Sequence, residues 1–216
     1  MLGTARHWAH RVGRLPALAN VLILLSPGAL FAQARSYRIE PASESRFALE
    51  VAKTGLMSGK KHVFVFEKYQ GHLEYDAENP ERSSVELTIQ SGSLVIKDDW
   101  VNEKEREKIA DEALNKKLAV GQYPEMKFRS KAIRAAGGEG KYEVEGDLTI
   151  RDVTRPVRVS VSLQEESKGL LRFEGEAVVK MKDYGMKPPS AALGLIGTKN
   201  EMTVSFRLLG DARERP

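Results

Sequence analysis

The chain has 216 residues, with 34 lysines and arginines against 30 acidic residues, a formal net charge of +4 and no cysteine. Without a thiol there is no disulfide, no thiolate metal site, no cysteine nucleophile and no lipid-modified N-terminal cysteine. Three of the excess positive charges, Arg6, Arg11 and Arg14, lie in an opening segment that holds no acid, and without them the rest carries +1 with both signs interleaved, which removes the case for a nucleic-acid partner.

That opening segment joins a positive start to a short apolar run, LANVLILL, and to the small-x-small signal AQA at 32–34. The combination is that of a secretory signal peptide cleaved after Ala34. Pro16, Pro27 and Gly28 bracket the apolar run, which falls short of the roughly 20 residues a spanning helix needs. The mature chain, 35–216, is therefore expected to carry no transmembrane segment and to be exported, into the periplasm or an equivalent compartment. Its 182 residues suit one domain with a single core.

From there the chain alternates apolar and polar residues with period two, the pattern of half-buried strands. The alternation runs through Phe47, Leu49 and Val51; Tyr69, Gly71, Leu73 and Tyr75; Val85, Leu87 and Ile89; and Leu94 and Ile96. Between the first two, VFVF at 63–66 is continuously apolar and its facing is ambiguous. The segment 102–118 breaks the pattern. Asn102 is placed as an N-cap with Glu105 three residues on, and Ile109, Ala113, Leu114 and Leu118 form a narrow apolar stripe, which predicts one amphipathic surface helix packed on or across the strands. Alternation resumes at Met126, Phe128 and Ser130. YEVEGDLTI at 142–150 and VRVSVSLQ at 157–164 then read as an antiparallel hairpin turning over Asp152–Pro156. Further strands follow at 171–181 and 202–208, and the intervening loop, 183–200, carries Met186, Leu193, Leu195 and Ile196 as a flap over a cavity or a plug of the barrel floor.

About eight one-face-apolar strands predict an all-β fold, either a closed antiparallel barrel or a sandwich. Gly71, Gly146 and Gly175 favour the barrel, because each interrupts an inward row of larger residues and three such gaps would widen a lumen. For any one of them, a bulge or a corner bend is an equal alternative. Phe47, Phe64, Phe66, Tyr69, Phe128, Leu148 and Phe173 are the candidate wall residues of that lumen.

His62 and His72 are the two histidines of the mature chain. Parity points His72 outward. His62 follows a glycine- and lysine-containing turn and leads into the apolar run, a place where a polar tip meets a ligand headgroup at a barrel mouth or simply faces water. No G-x-S-x-G nucleophile, H-E-x-x-H pair or glycine-rich phosphate loop is present, so no enzyme, metal or cofactor is expected.

Several stretches are similar to the lipocalin-like YceI-type family of exported bacterial polyisoprenoid-binding proteins. They are GDLTIRDVTRPV at 146–157, YPEMKFRS at 123–130, KTGLMSGKKH at 53–62 and YGMKPPSAALGLIGTKNEMTVSF at 184–206. The resemblance spans essentially the mature chain. It departs in the third stretch, where Lys61 precedes His62 and Phe64 stands in place of a second histidine, so a role needing paired histidines does not carry over. The resemblance implies an extended lipocalin-like barrel around a long isoprenoid chain, such as a quinone or polyprenyl tail, and His62 matches one position of its pattern; the candidate ligand-facing residues are then His62, the wall residues above and, from strand parity, Gly71, Gly146 and Gly175. Two other functions stay open: an envelope interaction module with a filled barrel, and a lipid-modifying enzyme. The sequence does not set the oligomeric state, and a homo-oligomer is compatible with it.

Overall fold

The computed structural model describes residues 34–167 and 169–212; the expected signal peptide lies, apart from Ala34, outside them. The strands are β1 (Arg35–Ile39), β2 (Arg46–Gly55), β3 (Lys61–Phe66), β4 (Tyr69–Tyr75), β5 (Ser84–Gln90), β6 (Leu94–Ile96), β7 (Glu125–Ala135), β8 (Lys141–Ile150), β9 (Val153–Ser167), β10 (Leu170–Lys180), β11 (Ser190–Ala191) and β12 (Ile196–Asp211). Every pairing is antiparallel. Eight strands close a barrel in the order β1, β4, β5, β7, β8, β9, β10, β12, with β12 returning to β1.

Near the chain start the wall is made of broken strands. β1 pairs with residues 210–211 of β12, and β2 pairs with residues 196–207 of the same strand, so β1 and β2 act as one long strand interrupted at 40–45. β4 and β3 break opposite them, and β5 and β6 break next. This divides the barrel lengthwise. The upper half, holding Tyr75, Tyr142 and the end of β12, is ringed by continuous ladders. In the lower half, holding Lys53, His62 and the start of β12, two seams lack a ladder: β6 pairs with β3 and not with β7, and β9 separates from β10 below the Ser160–Glu176 pair. Pro156, which has no N–H to donate, sits on that free stretch of β9.

The helical segment covers the first seam. α1 (Glu103–Asp111) starts at the expected capping box, in which the Asn102 side chain accepts from Glu105 N–H and the Glu105 carboxylate accepts from Asn102 N–H, and it continues as a π-helical stretch, Glu112–Leu118. The Arg106 guanidinium donates to the carbonyls of Ile96 (2.9 Å) and Asp98 (2.8 Å), occupying acceptors that an unpaired strand edge would leave to water. The helix is thus part of the barrel wall. Met181–Tyr184, a 3₁₀ turn with Met181 and Tyr184 buried, closes the second seam.

Two local expectations are corrected and one ambiguity is resolved. The β8–β9 turn is the two-residue step Arg151–Asp152, since Ile150 already pairs with Val153, and Thr154–Pro156 belong to the strand. The loop 183–200 is shorter than expected, because β12 begins at Ile196 and folds back on β11. The continuous run in β3 resolves as His62, Phe64 and Phe66 buried, with Val63 and Val65 half-buried.

Candidate functional site

The barrel encloses an apolar cavity of about 380 Å³, within the usual range of small-molecule sites. An interior filled by its own side chains is therefore not what this barrel has. Phe47, His62, Phe64, Phe66, Phe128, Leu148 and Phe173 all line the cavity, as do Val51, Leu87, Met126, Val159 and Met202. Alternation places them there, since each strand presents every second residue inward. Tyr69 does not line it: the residue is buried in the core with its ring centroid 6.1 Å from that of Phe47.

The three glycines do not line the cavity either, and their expected role is corrected. A Cβ at Gly146 would lie 2.5 Å from the Arg129 carbonyl oxygen and 2.6 Å from the Phe128 ring. At Gly175 it would overlap the Phe206 ring and lie 2.8 Å from the Ser160 carbonyl oxygen, and at Gly71 it would lie 2.6 Å from the Glu86 carbonyl oxygen and 2.9 Å from Leu87. The space each glycine leaves is already filled by a neighbouring strand's backbone and side chain. These residues draw the upper ring tight and do not widen it.

Polar groups gather at the two ends of the cavity. At the upper end the Tyr75 and Tyr142 hydroxyls bond to each other at 2.8 Å, and burial, helped by that bond, pushes the Tyr75 hydroxyl above its ordinary range. At the lower end the cavity is lined by Lys53 and His62, and by Lys108, Glu112 and Lys117 from the helical segment. Burial lowers Lys53 below the ordinary lysine range, and the negative charge of Asp98 opposes that shift.

His62 has a partner that its local sequence does not reveal. Its Nδ1 donates to Asp98 Oδ2 at 2.6 Å, while Asp98 Oδ1 accepts from Val63 N–H at 2.7 Å, and the Asp98 carboxylate is wholly buried. Trp100 stacks on the imidazole with centroids 5.1 Å apart and anchors its indole N–H on the Lys61 carbonyl at 3.0 Å. With Nδ1 engaged by the carboxylate, the ring is held in place and Nε2 is its remaining polar atom. His72 behaves as parity requires, exposed and paired with Glu74. Asp98 and Trp100 lie in the irregular stretch between β6 and α1, where no periodicity marks them, and the signal that could have found them is a lone buried-side histidine needing an acceptor.

Comparison with known proteins agrees with this geometry. The YceI-like domain family matches residues 37–208. A UPF0312 protein of Pseudomonas putida (strain W619) is 31% identical over 185 residues, spanning 81% of this chain and 88% of its own, and one of Pseudomonas fluorescens (strain SBW25) is 30% identical over 181 residues with the same coverage. Among solved structures, BcnA of Burkholderia cenocepacia superposes with a TM-score of 0.58 at 20% identity, over 76% of this chain and 95% of its own. A polyisoprenoid binding domain from Saccharophagus degradans, implicated in plant cell wall breakdown, superposes with a TM-score of 0.59 at 15% identity, over 82% and 98%. At such identities the structural likeness speaks for the barrel alone, and it is the sequence match along nearly the whole described chain that shows this protein to belong to the YceI-like domain family.

Proposed function

We propose that this protein is an exported carrier that holds a long-chain isoprenoid lipid, of quinone or polyprenyl type, in its barrel cavity and shields it from water. The observation that supports this reading most is the cavity itself, enclosed by a closed barrel and walled by Phe47, Phe64, Phe66, Phe128 and Phe173. Each methylene withdrawn from water contributes about 0.8 kcal/mol, so a long tail binds with few polar contacts. The polyisoprenoid binding described for the Saccharophagus degradans neighbour supports the same ligand class. In this reading the headgroup rests at the lower end, against His62, held by Asp98, and Lys53, while the tail runs up toward the tyrosine pair. No substrate turnover is invoked: the work of the site is burial and orientation.

Native mass spectrometry of the protein purified from its export compartment tests this. A copurifying lipid of discrete mass, exchangeable for added polyprenyl lipid, is expected; a clean mass of the protein alone, with no uptake of such lipids, overturns it.

A further inference from the structure

The lower end of the barrel carries an exposed apolar cluster beside the cavity. Leu56 is 75% exposed, Leu195 61% and Leu193 fully so. Two turns bring them together: Leu56 N–H donates to the Leu195 carbonyl at 3.0 Å, and Gly55 pairs with Ile196. Ala192 and Leu193 both adopt left-handed backbone, with φ of 49° and 54°, a conformation that costs non-glycine residues free energy and that holds the Leu193 side chain out in water. A few residues from the leucines along the same strands, Lys53 and Thr198 are paired with each other and line the cavity.

The charge of these turns is one-sided. Residues 52–61 and 185–199 contain Lys53, Lys60, Lys61, Lys187 and Lys199 and no acidic residue. Lys61 is paired with Glu50 at 2.6 Å, whereas Lys60, Lys187 and Lys199 are exposed, with Lys60 lying 5.8 Å over the Trp100 ring. Exposed leucines carried on lysine-bearing turns, with Trp100 beside Lys60 and Lys61 and Asp99 as the one exposed acid sharing that concavity, match the apolar-to-anionic gradient of a lipid headgroup layer. A second copy of this chain fits worse, because a two-fold contact would bring lysine turns against lysine turns.

We propose that this rim docks onto the surface of an anionic lipid bilayer, with Leu56, Leu193 and Leu195 inserted among the headgroups and the lysines facing phosphates, so that the lower end of the cavity is presented to the membrane. The inference rests on the carrier reading above for its purpose: a long isoprenoid is insoluble in water, and its source and destination are bilayers.

Vesicle flotation of the mature chain tests it, with vesicles of phosphatidylcholine alone and of phosphatidylcholine mixed with phosphatidylglycerol. Binding to the anionic vesicles is expected, weakening as salt screens the lysines. The triple variant Leu56→Ser, Leu193→Ser, Leu195→Ser should lose at least about tenfold in partitioning, and Lys60→Glu, Lys187→Glu, Lys199→Glu should abolish the preference for phosphatidylglycerol. All six positions are exposed, so circular dichroism should show the fold intact, and uptake of polyprenyl lipid from detergent micelles should match the unaltered protein. Absence of vesicle binding, equal binding by all three proteins, or a dimer that dissociates in the leucine variant overturns the proposal. Vesicle binding without any uptake from micelles would support the docking surface and overturn the carrier reading instead.

Discussion

The two halves of the barrel are closed by different means. Above, every strand meets its neighbours through backbone ladders, and Gly71, Gly146 and Gly175 let a neighbouring carbonyl and side chain lie against the strand. Below, two ladders are missing and side chains substitute: Arg106 on the carbonyls of Ile96 and Asp98, Asp98 between His62 and Val63 N–H, and the Met181–Tyr184 turn against the β9–β10 gap. Backbone ladders hold a shape with almost any outward-facing sequence. Side-chain closures depend on particular residues, so the lower half is where substitutions can alter binding without dissolving the barrel. The cavity's charged lining residues lie there as well.

The largest effect should come from breaking the upper ring. Gly146→Leu places a side chain against the Phe128 ring and the Arg129 carbonyl, the second of which cannot retreat without opening the β7–β8 ladder, and should cost about 3 kcal/mol in urea unfolding. A variant as stable as the parent would mean that the ring is not tight. Asp98→Ala tests the lower closure. It leaves Val63 N–H and His62 Nδ1 buried without an acceptor and should cost about 2 kcal/mol, with a Tm shift that Asp98→Asn partly recovers.

Strand faces were legible where apolar and polar residues alternate, because parity is a local property: Phe47, Phe128, Leu148 and Phe173 line the cavity, and the Asn102–Glu105 box starts the helix where its spacing requires; in the continuously apolar run 63–66 parity is silent, and only the structure turns Phe64 and Phe66 inward. β1 was not legible, since Arg35–Ile39 offers only Tyr37 and Ile39 to an alternating row. Parity placed Gly146 on an inward face but carries no information on whether the next strand lays an aromatic ring across it. His62 likewise could not be paired from sequence, because Asp98 is 36 residues away in a segment without periodicity.

Smaller effects sharpen the contrast between the ends. His62→Ala should weaken binding of headgroup-bearing isoprenoids by about 1.5 kcal/mol more than binding of the bare hydrocarbon tail, the usual range for a lost hydrogen bond; isothermal titration with both ligands reads the difference, and an equal loss would place the headgroup elsewhere. Arg106→Ala removes the helix clamp from β6 and should cost about 1 kcal/mol while speeding lipid exchange in stopped-flow displacement. Tyr75→Phe, which deletes the upper hydroxyl pair, should cost about 0.5 kcal/mol and leave affinity unchanged.

The most direct test of the division between a shape-holding upper half and the proposed ligand-reading lower half is a crystal structure of the protein loaded with a headgroup-bearing isoprenoid. The headgroup is expected within hydrogen-bonding distance of His62 Nε2 or Lys53 Nζ, with the tail rising between Phe47, Phe128 and Phe173 toward Tyr75. A headgroup seated against Tyr75 and Tyr142, with the tail end at His62, would contradict it.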